Sequence, residues 1–313
     1  MTVSEPRAEA GGVLRGEKIL VTGPASQVGL PVVRALVQDN QVHGLARFGR
    51  AQDRERLEAL GVHCIALDLA RDDFDGVPDD FDVVLHFAVV KSGDFDYDLA
   101  ANAEGAGRLM AHCRRARAFL HCSTAGVYQH AGAEHPVKED DPLGDNHRGM
   151  MPTYSICKIA AEAVVRFAAR QWKLPTTIAR LSVPFGDNGG WPWFHLAMMR
   201  AGQPIPLHPE RPNLFNPIHE DDGIAQLPRL LEIAAVPPTV VNWGGSQPVS
   251  IEEWCAWMGE LTGLEPKFET SERTVGPLPV DLTRMHELLG PTRVPWREGI
   301  RRMIQARAPE LLG

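Results

Sequence analysis

The sequence lacks the features that direct a protein into a membrane, an oxidising compartment or a nucleic-acid complex. No apolar run approaches the roughly 18 residues of a membrane helix, and residues 1–16 lack the apolar stretch of a secretory signal. The five cysteines are odd in number and include no C-x-x-C pair, which argues against a disulfide framework and a zinc site. The net charge of −8 disfavours phosphate backbones and anionic lipids. We therefore predict a cytoplasmic protein without nucleic-acid or membrane partners.

What the chain does contain is a regular alternation of short apolar runs and amphipathic stretches. Its 313 residues, 44% of them hydrophobic and 23% charged, suffice for a large buried core. The strand-like segments are KILVT (18–22), QVHGLA (41–46), VHCIALDL (62–69), FDVVLHFAV (81–89), AFLHCST (118–124) and TTIARLSV (176–183). Segments with helical periodicity lie between most of them. This alternation predicts an α/β fold built on a parallel sheet.

A glycine-containing loop, TGPASQVG, joins the first predicted strand to the first helix. Gly23 would form the tight turn, and Gly29 would let the helix pack closely on the strand. The pyrophosphate of a dinucleotide would rest at the helix start, on the segment Ser26, Gln27 and Val28. Ser26 replaces the middle glycine of the usual G-x-x-G-x-x-G spacing, which weakens the motif. The alternative is a structural turn between strand and helix that holds no ligand.

The ends of the next strands suggest which dinucleotide binds. Arg47 follows the second strand, where an acidic residue would take the ribose hydroxyls of NAD. A guanidinium favours a 2′-phosphate instead, so we predict NADP(H) over NAD(H), with NAD(H) as the alternative. Arg47 could also be a solvated surface charge. Asp68 and Leu69 close the third strand and could meet the adenine. The fourth strand ends in residues that could let a cofactor approach, Phe87, Ala88 and Val89.

A tyrosine and a lysine stand four positions apart in a strongly helical stretch. Tyr154 and Lys158 therefore project from one helix face, and an ammonium near a phenol lowers the phenol pKa toward the range of a general acid/base. Thr124 lies at the carboxyl end of the strand AFLHCST, where it could hold a substrate oxygen. Its alternative role is helix capping or turn formation. Each signal is common alone, and their occurrence in this order is far more specific.

Together these segments resemble the extended short-chain dehydrogenases/reductases, the family of NAD-dependent epimerases and dehydratases. The similar segments are VTGPASQVG, HFAVVK, STAGVY, YSICK, ARLSVPFG, NPIHEDDGIA and NWGGSQPVSIEEW. The resemblance implies a doubly wound parallel-sheet Rossmann fold with a smaller C-terminal substrate lobe. It implies Tyr154 as acid/base, Lys158 as its partner and Thr124 as the contact to the substrate hydroxyl. It also places Lys91 and Pro184 beside the cofactor and implies a homodimer.

The domain boundaries follow from a change in composition at Asp187, after which proline, glycine and tryptophan become frequent. We predict a flexible tail over residues 1–16 and a dinucleotide-binding Rossmann domain over residues 17–186. A substrate-binding lobe would cover residues 187–313, with a strand and helix near 213–245 returning to the Rossmann core.

Two departures from the family pattern narrow the expected chemistry. Ala125 and Gly126 follow Thr124 where the sugar dehydratases carry an acid pair, and the segment FNP replaces an arginine that grips the diphosphate of nucleotide sugars. The lobe instead offers aromatic side chains that could contact a substrate together with Ala125, or could pack the lobe or a subunit contact: Trp191, Trp193 and Phe194.

We therefore predict an oxidoreductase of the carbonyl reductase or alcohol dehydrogenase type. It would use NADP(H) to reduce an apolar or aromatic ketone or aldehyde, with Tyr154 as proton donor. The alternative enzyme is an NAD-dependent nucleotide-sugar 4-epimerase. A protein that senses the dinucleotide without chemistry is the third possibility. No metal is predicted, because His219, Asp221 and Asp222 fit a helix N-terminus better than a metal motif.

Overall fold

The computed structural model describes residues 14–313 of the chain. The first elements are β1 (Lys18–Thr22), α1 (Gly29–Leu36), β2 (Gln41–Ala46), α2 (Ala51–Ala59), β3 (His63–Ala66), β4 (Val83–His86), α3 (Phe95–Leu99), α4 (Gly105–His112), β5 (Ala118–Thr124) and α5 (Tyr154–Trp172). The later elements are β6 (Thr176–Leu181), β7 (Val183–Gly186), β8 (Gly189–Gly190), α6 (Trp191–Arg200), β9 (Ile205–Leu207), β10 (Leu214–Phe215), β11 (Pro217–His219), α7 (Glu220–Glu232), β12 (Thr239–Trp243), β13 (Val249–Ser250), α8 (Ile251–Thr262), β14 (Phe268–Thr270), α9 (Thr283–Leu289) and α10 (Trp296–Arg307).

The amino-terminal segment and the helices bear on two of the sequence predictions. Residues 1–13 of the predicted tail lie outside the described residues, whereas Leu14 is buried and the Gly16 N–H donates to the Asp39 carbonyl. Within residues 14–313, no helix combines the length and the apolar character that crossing a bilayer requires. All five cysteines are free thiols.

Seven strands form the main sheet, in the order β12, β6, β5, β4, β1, β2, β3. All of their pairings are parallel. The chain order reverses between β1 and β4, so the connections after these strands diverge and leave a crevice at their carboxyl ends, where such sheets bind ligands. The predicted doubly wound Rossmann fold is confirmed.

Alternate residues of the central strands feed two separate core layers, one on each face of the sheet. Leu20 and Phe119 pack with residues of α4 and α5 in one layer. Ile19 and Leu120 pack with residues of α1 and α7 in the other. Each fully buried Leu, Ile or Phe side chain contributes about 1.5–3 kcal/mol relative to its exposed state. The buried strands between two helical layers explain why the sequence shows continuous apolar runs there.

A π-helical turn, Ala100–Glu104, joins α3 to α4, which ends at His112. The wide turn lets the buried Asn102 side chain accept a hydrogen bond from the Val90 N–H at 2.8 Å and donate to the Val90 carbonyl at 2.7 Å. Asn102 therefore fixes the segment that follows β4, including Lys91. Such π turns often occur at functional sites.

The carboxyl-terminal part packs around its own aromatic core. Trp191 lies 4.9 Å from Phe215 and 5.9 Å from Trp254 between ring centroids, and Trp254 Nε1 donates to His195 Nδ1. From this part, β12 joins the main sheet beside β6, and α7 packs against α1. The two parts of the chain thus share one sheet.

Burial of neutral histidines makes stability depend on pH. Burial lowers the pKa of His195 from 6.5 to about 4, and the unfolded chain regains the ordinary value. The unfolded state therefore binds more protons below pH 6.5, so stability is present above pH 6.5 and is lost as the pH falls toward 4, by up to about 3 kcal/mol for this group. Urea unfolding at pH 7.5 and pH 5 should show a smaller loss for His195→Asn, which keeps an acceptor for Trp254. An equal loss in both proteins would contradict this account.

Candidate active site

The loop between β1 and α1 folds tightly around its two glycines. Gly23 has a φ of +67°, in the left-handed region, and a Cβ there would lie 3.0 Å from the Ala88 backbone. A Cβ on Gly29 would collide with the Gly23 carbonyl oxygen. Ser26 accepts a hydrogen bond from the Gly29 N–H at 3.0 Å, so its hydroxyl shapes the loop. At the start of α1, the Gly29 and Leu30 N–H groups are bonded to Ser26 and Pro31 has none, so the N–H groups of Gln27 and Val28 in the loop are the ones that could meet a phosphate.

A cleft of about 210 Å³ opens beside this loop, at the carboxyl ends of β2, β3 and β4. Five of the predicted cofactor-binding residues line it, namely Arg47, Asp68, Leu69, Ala88 and Val89. Gln27, Val28 and Pro184 line a second, smaller hollow, and Phe87 is buried in the core. The close approach at Gly23, the N–H groups of the glycine loop and the adjacent cleft fit a dinucleotide.

At the far end of the cleft, a hydrogen-bonded chain links three side chains. Arg47 Nη1 donates to the Tyr97 hydroxyl at 2.6 Å, and that hydroxyl donates to Asp68 Oδ2 at 2.8 Å. Burial alone would raise the pKa of Asp68, but the Ala70 N–H and the Tyr97 hydroxyl hold it below its usual range. Tyr97 could not be predicted from the sequence, because nothing in its neighbourhood indicates a contact with β2.

The predicted catalytic residues lie together at the carboxyl edge of the sheet. Thr124 ends β5, Tyr154 begins α5, and Lys158 follows one turn later. The Thr124 side chain lies beside the Tyr154 phenol and lowers its pKa, and its hydroxyl accepts from the Gly126 N–H at 3.1 Å. Thr124 thus both caps the following turn and faces the phenol, so its two alternative roles coexist. Lys158 Nζ donates to the Cys122 carbonyl at 2.8 Å.

The pKa of Tyr154 departs from the sequence expectation. Burial raises the pKa of the phenol to about 12, and the hydrogen bond from Thr124 only partly opposes this. Burial also lowers the pKa of Lys158, with Cys122 and Glu162 acting in the opposite direction. The expected lowering by Lys158 does not occur in this arrangement, since the ammonium group is directed to a backbone carbonyl.

Two further side chains flank the tyrosine ring. Lys91 Nζ lies 5.7 Å from the centroid of the Tyr154 ring, so the structure brings this predicted residue to the site. The His147 ring lies 5.2 Å from the same ring in an edge-on arrangement. His147 could not be predicted from the sequence, because it lies in an irregular segment with no motif.

A buried ion pair between Arg180 and Glu162 lies close to the catalytic residues. Arg180 of β6 donates from Nε and Nη2 to the two carboxylate oxygens of Glu162, at 2.9 and 2.8 Å. Ser123, next to Thr124, donates to Glu162 Oε1 at 2.7 Å. Because Glu162 follows Lys158 by one turn of α5, the ion pair joins the lysine-bearing helix to β6, and the Ser123 hydrogen bond joins it to β5, the strand that ends in Thr124.

The predicted substrate contacts divide into two groups. Thr124 and Ala125 lie at the site, and Ala125 is buried. Trp191 belongs to the aromatic core of the carboxyl-terminal part, the Arg307 guanidinium lies 4.5 Å from the Trp193 ring centroid, and Phe194 is 64% exposed.

Two groups of histidines and acids bear on metal binding. His219 caps α7 by accepting from the Asp221 N–H, in agreement with a helix N-terminus, and Asp222 accepts from the Arg293 and Val294 N–H groups of the segment before α10. In the described part of the chain, His130, His208 and Glu210 bring ligand-type atoms within 4.8 Å of one another. A hydrogen bond of 2.8 Å joins His130 Nε2 to Glu210 Oε2. The absence of a metal stays a prediction.

The known proteins to which this chain is similar include enzymes that act on nucleotide sugars. Human dTDP-D-glucose 4,6-dehydratase is 24% identical over 96% of this chain and 92% of its own length. The structure of UDP-glucuronic acid 4-epimerase from Bacillus cereus with UDP-glucuronic acid and NAD superposes with a TM-score of 0.78, at 21% identity, over 92% of this chain and 98% of that one. UDP-glucose 4-epimerase from Thermotoga maritima gives 0.78 at 20% identity, over 94% and 99%.

These relatives show that the predicted carbonyl reductase for apolar ketones is wrong, because they are epimerases and a dehydratase of nucleotide sugars. The physical reason for the error is visible in Trp191, whose apolar surface packs the lobe and does not mark an apolar ligand. A family model matches residues 19–200, more than half of the chain. The protein belongs to the NAD dependent epimerase/dehydratase family.

Proposed function

We propose that this protein is a nicotinamide-dependent nucleotide-sugar 4-epimerase. The observation that carries the proposal is the meeting of Thr124, Tyr154 and Lys158 at the sheet edge, next to a cleft that fits a dinucleotide. The near-complete coverage of the 4-epimerase chains supports the choice of substrate class.

The roles of the side chains follow from their positions. A bound nicotinamide supplies reversible hydride acceptance at the sugar carbon. Thr124 and Tyr154 hold the C4 oxygen between their hydroxyls, and Tyr154 takes the proton from that oxygen and later returns it. Burial raises the pKa of the phenol to about 12, so phenolate formation needs a positive charge nearby, and Lys158, one turn away on α5, is the residue placed to supply it.

Two observations favour epimerisation over the other candidates. Ala125 and Gly126 carry no acid, so the usual acid pair of a dehydratase is missing. A protein that only senses a dinucleotide has no use for a phenol and an amine on adjacent helical turns, and this chain has both. The segment FNP, which replaces the expected arginine, has a structural role. Its Asn216 side chain donates to the Gly245 carbonyl and accepts from the Val280 N–H, so it holds these two backbone segments together.

The test is an assay with UDP-glucose, UDP-glucuronic acid and dTDP-glucose, with added NAD or NADP and chromatographic separation of the sugar nucleotides. We expect one of them to equilibrate with its 4-epimer without net reduction of the added nicotinamide. Stoichiometric oxidation of the sugar, or a dehydrated product as the main product, would overturn the proposal.

The preference for NADP(H) is part of the same proposal, although the solved relatives hold NAD. Arg47 lines the cleft where a ribose phosphate would lie, and no carboxylate replaces it at the end of β2. A charge-assisted hydrogen bond contributes about 1.5–3 kcal/mol, so Arg47→Ala should weaken NADP(H) binding about tenfold to a hundredfold and leave NAD(H) binding almost unchanged. Arg50→Ala, which does not line the cleft, is the matched control. Calorimetry that finds tighter binding of NAD(H) to the unaltered protein contradicts this preference.

The assembly and location of the protein are also proposals. A homodimer accords with the family resemblance and with the apolar side chains Ile156 and Phe167 of α5, which expose 38% and 64% of their surface. We propose the cytoplasm as the location, as predicted from the sequence. Gel filtration with light scattering would test the dimer.

A further inference from the structure

The segment between the turn at Ala125–Val127 and helix α5 delivers an imidazole to the active site. A Cβ built on Gly126 would lie 2.6 Å from His147 Nδ1 and would collide with the adjacent ring carbon. Gly126 does not have a positive φ, so its backbone does not require glycine. The glycine is explained by the space that the imidazole fills. His147 therefore occupies the place of a side chain two positions after Thr124.

The imidazole is held by a small set of hydrogen bonds. The fully buried Ser155 donates to the Gly126 carbonyl at 2.7 Å, and its Oγ lies 3.3 Å from both the backbone N and Nδ1 of His147. The Met150 and Met151 N–H groups donate to the His147 carbonyl. With Nδ1 on the Ser155 side, Nε2 is the nitrogen that can meet a ligand.

The electrostatic surroundings keep this imidazole neutral. Burial, and then the charge of Lys91, lower the pKa of His147 to about 4, against a smaller opposing effect of the Gly126 backbone. The ring is in edge contact with Tyr154, whose hydroxyl meets the C4 oxygen in the proposed epimerisation. A neutral base thus lies beside the acid/base tyrosine.

We propose that His147 is a second acid/base group of this site, which removes and returns a proton on the sugar carbon adjacent to the transient C4 ketone. The proposal rests on the proposed function for its substrate class. This second acid/base group would give the enzyme a further activity, proton exchange or inversion at a carbon next to C4. The residue responsible is not one of the two positions that carry the acid pair in sugar dehydratases.

The chemistry balances without an added reagent. A ketone acidifies the C–H bonds on its neighbouring carbons, so His147 Nε2 can take one such proton as the C–H bond breaks. The electron pair forms the enolate, and its charge on the C4 oxygen is held by the Tyr154 and Thr124 hydroxyls. The imidazolium then returns a proton, which can have exchanged with solvent, to the same carbon. Nothing is oxidised or reduced in these two steps.

The experiment measures deuterium uptake from D₂O into the nucleotide sugar by NMR, with the enzyme loaded with its dinucleotide. Simple 4-epimerisation returns the substrate's own hydrogen to C4 and exchanges no carbon-bound hydrogen with solvent. We expect deuterium at C3 or C5 with the unaltered protein. In His147→Gln, the ratio of exchange to C4 inversion should fall at least about tenfold, in line with the usual effect of a general base. The control His135→Gln, in an exposed loop of the same segment, should keep the ratio.

Supplying a UDP-4-keto sugar directly separates this proposal from the proposed function, because exchange then needs no hydride transfer. Exchange of the ketone that depends on His147 supports the second base even if no C4 inversion is found. Inversion at C4 without deuterium at C3 or C5, together with no exchange of the supplied ketone, overturns the proposal and leaves the epimerase intact. Thermal unfolding and dinucleotide binding of His147→Gln establish that the variant folds.

Discussion

Replacing Tyr154 by phenylalanine is expected to lower turnover by about 10²–10⁴-fold while dinucleotide affinity stays nearly constant. The phenol is the group that meets Thr124 at the carboxyl edge of β5, and it is the first residue of α5. Removing its oxygen deletes the proton acceptor but keeps the ring that Lys91 and His147 flank. Steady-state kinetics with the nucleotide sugar, and fluorescence titration with the dinucleotide, measure the two effects separately.

A second tyrosine offers a matched control for this variant. Tyr97→Phe also removes one hydroxyl, but that hydroxyl bridges Arg47 and Asp68 at the other end of the cleft. We expect Tyr97→Phe to change cofactor affinity by a few-fold, the worth of a hydrogen bond, and to spare kcat at saturating cofactor. If Tyr154→Phe retained turnover, the assignment of the acid/base would be wrong.

Much of the sheet could be predicted because its signals are local. The segments that form β1, β2 and β5 have the bounds that their apolar runs indicate. The third strand is shorter than predicted, His63–Ala66, because only part of its apolar run pairs with β2. Local periodicity thus identifies elements well, whereas their ends depend on pairing with neighbours.

The contacts around the site could not be predicted because they join distant positions. Arg47 and Tyr97 are 50 residues apart, and Gly126 and His147 belong to segments with different local structure. A glycine in a sequence does not reveal which side chain fills its space. The motif residues were found since each lies at a recognisable end of an element, and the residues that surround them lie in irregular segments.

The error about the substrate has the same physical origin. Aromatic residues such as Trp191 and Trp193 are equally suited to a lobe core and to an apolar pocket, because both uses remove the same surface from water. For Trp191, only its packing against Phe215 and Trp254 shows which of the two uses applies. A composition rich in tryptophan therefore does not identify an apolar substrate.

A large effect on the free energy of unfolding is expected at the buried ion pair of Arg180 and Glu162. Arg180 and Glu162 are each 1% exposed, and both carboxylate oxygens of Glu162 accept from the guanidinium. Arg180→Met would leave a buried carboxylate with only the Ser123 hydroxyl and the more distant Arg166, at 3.7 Å. We expect the free energy of unfolding to fall by about 3–5 kcal/mol, since an unpaired buried charge keeps its desolvation cost and loses its partner.

The double variant Glu162→Leu with Arg180→Met separates the cost of the broken pair from the loss of volume. Removing both charges leaves no unpaired carboxylate, so the double variant should be more stable than Arg180→Met alone, although it contains one more substitution. Urea unfolding of the four proteins in this cycle gives the coupling energy. Strict additivity of the two single effects would show that the pair does not interact. Coupling would instead establish that this ion pair joins the helix of Lys158 to β6, the strand that pairs with the strand of Thr124.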